Sequence, residues 1–178
     1  MMVSGHEGER EVAATMMDRL WRLAYRVGFR AARLWWRLRR PDHDGAVVAV
    51  WLDDGRILAV QQSYRANPSW PGGGVRRGEQ PRDAARRELR EELGLDVRPG
   101  DLVLAREMAV EWDFRREHVR VFELRLHEEP VLRIDNREIV AARFVEPRAL
   151  LAEAVLPPFI RAYLGEARPC GTGRSTAA

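Results

Sequence analysis

The sequence predicts an α/β domain behind a long amphipathic N-terminal helix, and three patterns carry that reading. Arg19, Arg22, Arg26, Arg30, Arg33, Arg37 and Arg40 recur in steps of three and four, which keeps them on one helical stripe. Gly45 to Leu52 is almost wholly apolar and is followed by Asp53-Asp54-Gly55 and a second apolar run, the signature of a hairpin. Pro81 to Leu93 sets Ala84, Ala85, Leu89 and Leu93 on one side of a helix that can pack on a sheet. Pro at its first position and Gly94 just past its end suit the two termini.

In chain order, the first helix is expected over residues 10–40. Leu20, Leu23, Ala24, Val27, Ala31, Leu34, Trp35 and Leu38 fill the flanks of the Arg stripe. Gly28 weakens its middle by about 1 kcal/mol relative to Ala. Arg39 and Arg40 suit its C-terminal dipole, and Pro41 stops it. Residues 41–44 read as a linker. Strands follow over 45–52 and 56–62, then a polar loop over 63–70 and a glycine-rich stretch over 71–78. Beyond the 81–93 helix, strands are expected over 102–110 and 119–126 around a charged loop at 111–118, with a last strand over 139–145. Short helices close the domain over 147–153 and 158–164. The chain thus divides into a helical extension (1–41), one domain (42–165) and a small polar, disordered tail (166–178).

Composition narrows the chemistry. At 178 residues and 46% hydrophobic, the chain can build one core of ordinary size. All 30 basic residues are Arg, so no lysine nucleophile or Schiff base is available. Cys170 is the single cysteine, which excludes an internal disulfide and a cysteine-based zinc site. No run of about 18 apolar residues can span a membrane, and acidic Glu7, Glu9 and Glu11 argue against a secretory signal. A cytoplasmic location is the expectation. Residues 1–40 hold nine arginines against four acids, so the body beyond them is slightly acidic. That charge does not describe a nucleic-acid-binding surface.

The segment Gly72 to Leu95 reads GGGVRRGEQPRDAARRELREELGL. Glu88, Glu91 and Glu92 stand at i, i+3 and i+4, on one helical face. Unpaired carboxylates at that spacing repel; a hard cation among them removes the conflict, and oxygen-only ligands suit Mg²⁺ or Mn²⁺. The glycines ahead of the helix let bare backbone approach a ligand. A cation, a glycine-rich loop and a helix N-terminus together describe a phosphate site. The bland alternative is a solvated helix whose Glu residues pair with Arg86, Arg87 and Arg90.

The spacing of the flanking residues decides between them. Gly73, Glu79, Arg87, Glu88, Leu89, Glu91, Glu92, Gly94 and Leu95 fill every fixed position of G-x5-E-x7-R-E-U-x-E-E-x-G-U, where U is apolar. At ordinary residue usage, seven single-residue requirements are met by chance about once in 10⁶ chains of this length. The segment resembles the Nudix hydrolase motif, and a leading hairpin, Pro71-Gly72-Gly73 and the later EIVAARF strand sit around it in a similar order. The resemblance implies an α/β/α sandwich around a mixed sheet. It also implies metal-dependent hydrolysis of a nucleoside diphosphate linked to another group. On the same grounds Glu88, Glu91 and Glu92, with the backbone carbonyl of Gly72, would hold the metal. Arg87 and Glu79 would pair to brace loop against helix. Glu88 is the expected general base and Glu91 the second choice.

Other assignments are less specific. Glu138, just before the last strand, is placed with the metal ligands, and Glu111, Asp113 and Glu117 are further acidic candidates. Arg65 could reach a phosphate; Trp70 and Trp112 could each stack on a base or belong to the core. None of His6, His43, His118 and His127 pairs at metal spacing, so all four are read as incidental. The sequence shows no added signature of coenzyme A or NADH pyrophosphatases and no ADP-ribose marker, which points towards a small nucleotide and leaves the substrate unspecified. The alternatives are a nucleotide-sensing domain without catalysis, and a protein held at a membrane surface through its N-terminal helix. That helix is expected to cover an apolar surface apart from the chemistry, on its own body or in a homodimer.

Overall fold

The computed structural model describes residues 15–166. Helix α1 spans Met16–Arg39. Thr15 caps it: its hydroxyl accepts the Asp18 N–H while the Asp18 carboxylate accepts the Thr15 N–H. It stops at Arg40, whose left-handed φ of 43° turns the chain into Pro41. Residues 10–14 of the expected helix lie outside the described residues, as does the tail from 167. No helix among the described residues is long and apolar enough to cross a membrane.

The six-stranded sheet is mixed. Strand β1 (Asp42–Leu52) lies at its centre, parallel to β5 (Arg115–Leu126) over its whole length. It runs antiparallel to β2 (Ile57–Gln62) and to the short β3 (Gly72–Gly74). Strand β4 (Val103–Trp112) extends the sheet beyond β5, and β6 (Ile139–Val145) beyond β2. Helix α2 (Pro81–Leu93) ends at Gly94 with φ 67°, as its sequence predicts. Short α3 (Pro147–Leu151) and α4 (Pro158–Glu166) follow β6.

Two sequence expectations are corrected. Residues 42–44 are not linker: Asp42, His43 and Asp44 pair with Arg116, Glu117 and His118. Parallel pairing with a strand some seventy residues away leaves no local mark in composition. Residues 111–118 are not a loop either. Asp113 and Phe114, both at positive φ (52° and 66°), form a two-residue turn between β4 and β5. Glu111 faces Arg116 across the ladder, and Trp112 faces Arg115.

Sheet alternation feeds two cores. Ala46, Val48, Val50 and Leu52 of β1 meet Ala84, Ala85, Leu89 and Leu93 of α2 on one face. Val47 and Ala49 meet Leu150, Phe159, Ile160 and Tyr163 on the other. An apolar central strand buried on both faces is what the layered α/β/α arrangement requires. Helix α1 docks on this body through a stripe that includes Arg22, Tyr25, Phe29 and Trp36. Tyr25 stacks on Tyr64 at 6.0 Å, and Arg22 Nε and Arg26 Nε donate to the carbonyls of Asn136 and Ser63. Its opposite face leaves Leu20, Leu23, Val27, Leu34 and Leu38 exposed.

Candidate active site

Strand β3 lies on β1, with Gly72 opposite Val47 and Gly73 opposite Ala46. Gly72 has φ 143°, and a Cβ there would sit 2.4 Å from the Ala46 carbonyl oxygen, so only glycine fits. A Cβ on Gly73 would fall 2.5 Å from Glu88 Oε1. The bare backbone of β3 is therefore a cradle for the carboxylates of α2. Glu92, 6% exposed, accepts the Gly72 N–H at 3.0 Å.

Arg87 braces the loop. Its Nε and Nη2 donate to the two oxygens of Glu79 at 2.9 and 3.1 Å, and Nη2 also donates to the Gly74 carbonyl at 3.0 Å. Its Nη1 donates to Glu88 and reaches Glu91 at 3.4 Å. The bidentate hydrogen bond from Arg87, joined by the Arg76 N–H, holds the Glu79 carboxyl down to about 2. The folded value lies below the ordinary 4.5, so the stabilisation is present above pH 4.5 and is lost as pH falls towards 2. The thermal midpoint of Glu79→Gln should accordingly lie below wild type at neutral pH, with the gap closing as a melting series descends to pH 2.

The α2 carboxylates behave in the opposite way. Burial raises Glu92 well above the usual carboxylate range, against the Gly72 hydrogen bond, and the negative charges of Glu88, Glu138 and Asp135 add to the rise. Burial also raises Glu88, opposed by Arg87 and reinforced by Glu91 and Glu138. Among the described residues, no set of three or more His, Cys, Asp or Glu side chains is gathered as metal ligands. Glu92 is turned onto Gly72, while Arg87 engages Glu88 and Glu91. The donor chemistry still fits a hard divalent cation: oxygen only, net negative, partly desolvated and set against a glycine cradle.

Glu88, Glu91, Arg87 and the glycines of β3 edge a cavity of about 430 Å³. Glu138 lies on it, its Oε1 accepting the Tyr64 hydroxyl at 2.9 Å, so the downstream acid joins the helix carboxylates. Arg65 also lines it, but not as a solvated loop residue: it is 14% exposed and pairs with Asp113 at 3.0 Å. Trp112 lines it from the end of β4, not from a loop. Of the two readings open for Trp70, the packing favours the core: the residue is 1% exposed, edge-on against Tyr163 at 5.2 Å beside α4. Glu111 is exposed, Asp113 serves Arg65, and Glu117 is buried beside Arg115.

Phe29, Trp36, His43 and Arg115 also line the cavity, although the sequence reading did not place them there. His43 thus lies at the cavity, whereas His127 pairs with exposed Asp53 and His6 lies outside the described residues. Nor is α1 apart from the site, as its composition had suggested. Tyr25, Phe29 and Trp36 recur at helical spacing on a face distinct from the leucine stripe, and that second stripe was the available signal.

The NUDIX domain family model matches residues 41–163. The fold is similar to the MutT protein of Methanosarcina mazei Go1, at 20% identity and TM-score 0.59, covering 71% of this chain and 92% of that one. It is similar to a MutT NUDIX hydrolase of Burkholderia pseudomallei, at 22% identity and TM-score 0.60, covering 71% and 98%. It is also similar to the E. coli dihydroneopterin triphosphate pyrophosphohydrolase, at 22% identity and TM-score 0.56, covering 70% and 96%. No curated protein matches the sequence.

Proposed function

This chain belongs to the Nudix family of pyrophosphohydrolases, and on that premise we propose that it hydrolyses a nucleoside diphosphate linked to a further group, using Mg²⁺ or Mn²⁺. The observation that carries the proposal is Glu92: a buried carboxylate against the Gly72 cradle, with Glu88 and Glu138 adding negative charge and no cationic side chain bonded to it among the described residues. Glu88, Glu91, Glu92 and Glu138, with the Gly72 carbonyl, are the groups that would hold the ion. When bound there, a divalent cation offsets charge on the pyrophosphate oxygens and acidifies a water.

The chain's own residues do the rest. Arg87, fixed by Glu79 and Gly74, orients Glu88. Burial raises Glu88 above the ordinary carboxylate value, which improves it as a proton acceptor, and Glu88 takes the proton of the attacking water. Glu91, more exposed and paired with Arg87 at 3.4 Å and Arg76 at 3.8 Å, is the alternate base. The nucleotide part lies in the cavity beyond the carboxylates. A complete glutamate set makes catalysis the better reading than nucleotide sensing.

The test is a hydrolysis screen over nucleoside di- and triphosphates, dinucleotides and nucleotide sugars with Mg²⁺ or Mn²⁺. Turnover of at least one class, abolished by excess chelator and restored by the cation, is the expected result. Equal turnover in excess chelator would overturn the metal role.

A further inference from the structure

The cavity lining also carries cationic groups outside α2. Arg65 and Arg115 stand on it, each less than one-sixth exposed. Both guanidinium groups lie over aromatic rings of α1. Arg115 Cζ is 4.0 Å from the centroid of Trp36, and Arg65 Cζ is 4.7 Å from that of Phe29. Arg115 pairs with Glu117, while the single carboxylate of Asp113 serves both Arg33 and Arg65. Three guanidinium groups therefore face two carboxylates. Among the described residues, the Nε–H of Arg115 and the indole N–H of Trp70 are buried without an acceptor, and Nδ1 of His43 is buried without a partner. All three residues line the same cavity as Glu88. Buried donors of this kind normally have partners, and a phosphate group offers acceptors only. The two rings belong to a helix that precedes the family match at residue 41.

We propose that α1 is part of the substrate site: Trp36 and Phe29 hold Arg115 and Arg65 towards the cavity as an anion subsite for a further phosphate of the substrate. The inference rests on the hydrolase reading only in where it sets that phosphate, in the same cavity as the carboxylates that face the scissile linkage. It narrows the substrate to nucleoside polyphosphates with an additional phosphate, in preference to a diphosphate joined to a neutral sugar. Arg115 and Arg65 touch the anion; Trp36 and Phe29 are positioning residues. A planar guanidinium suits both tasks, because its face stacks on a ring while its edge offers N–H groups to phosphate oxygens.

Calorimetric titration of the full chain with inorganic tripolyphosphate, in chelator, tests the subsite without turnover. Wild type is expected to bind. Arg115→Gln and Trp36→Leu should each weaken the Kd about tenfold, and Trp36→Phe, which keeps an aromatic face, should restore most of it. With Mg²⁺, Trp36→Leu should raise KM for a nucleoside triphosphate about tenfold, several times more than it raises KM for a nucleotide sugar, with the effect in KM rather than kcat. If Trp36→Leu does not fold, Arg115→Gln decides. Failure of wild type to bind tripolyphosphate would overturn the proposal. So would unchanged binding in Arg115→Gln, or an equal rise in KM for both substrates in Trp36→Leu. Binding of tripolyphosphate by a wild type that hydrolyses no diphosphate compound would sink the hydrolase reading and leave the subsite standing.

Discussion

Glu92→Gln should lower kcat by about a thousandfold or more while the metal-free protein melts no earlier than wild type. Removing a ligand that helps hold the cation forfeits several kcal/mol of charge stabilisation, and about 1.4 kcal/mol is worth a factor of ten. The amide oxygen of Gln can still accept the Gly72 N–H, so the one hydrogen bond that Glu92 makes survives. Stability should move the other way, for a reason of sign. Burial, then Glu88, Glu138 and Asp135, raise the Glu92 carboxyl above its ordinary 4.5 in the folded protein. The native state therefore binds the proton more tightly than the unfolded chain, and stability falls as pH rises from 4.5 through the raised folded value. Gln carries no such penalty. The difference in thermal midpoint, variant minus wild type in chelator, should grow with pH across that window. A variant that is less stable at neutral pH than at pH 4, relative to wild type, would contradict the electrostatic account of the site.

Gly72→Ala should be the most destabilising small substitution in the loop. Its φ of 143° lies where L side chains are rarely found, and the new Cβ would meet the backbone of β1: Ala46 O at 2.4 Å and Val47 Cα at 2.6 Å. Backbone strain and overpacking together should cost about 3 kcal/mol or more, or a fall in melting temperature of roughly 6–12 °C for a chain of this size. Activity per folded molecule should fall too, because Gly72 carries both the N–H that fixes Glu92 and the carbonyl assigned to the cation. Gly78→Ala is the control. Its φ of 80° is also unfavourable, but nothing lies within 4 Å of the added Cβ. It should cost only the left-handed backbone term, about 1–2 kcal/mol. Similar losses at the two positions, by thermal melting, would show that the contact with β1 is not what requires glycine at 72.

The parts of the fold that were legible in the sequence are those set by local physics. Pro81 and Gly94 mark both ends of α2 because a ring without N–H and a left-handed cap are local requirements. Strand β6 is read to the residue for a similar reason, as an apolar run bounded by Glu138 before it and Pro147 after it. The start of β1 was hidden because its partner is β5, and a parallel ladder has no turn to announce it. The β4–β5 hairpin was hidden by charge. Arg115 and Glu117 pair with one another while largely buried, yet in sequence they look like a solvated loop.

The site divides along the same line. Glu79, Arg87, Glu88, Glu91 and Glu92 lie within fourteen residues, on one loop and one helix, so spacing alone brings them together. Glu138 needed the turn into β6 to carry it to Tyr64 and the α2 carboxylates. Of the cationic wall, only Arg65 was legible. The wall needs α1 folded back across the sheet, so that Trp36 meets Arg115 and Phe29 meets Arg65 over sequence distances that no motif spans. Trp70 shows the converse: a tryptophan beside the glycine loop looks like a stacking platform until α4 is packed over it.

The central claim is that the carboxylate face of α2, closed by Gly72, holds a divalent cation. Its most direct test is Mn²⁺ binding followed by electron paramagnetic resonance, on wild type and Glu92→Gln side by side, with no substrate present. Wild type is expected to bind Mn²⁺, and Glu92→Gln to bind it at least about tenfold more weakly while remaining folded. Equal Mn²⁺ affinity in the two proteins would contradict the claim.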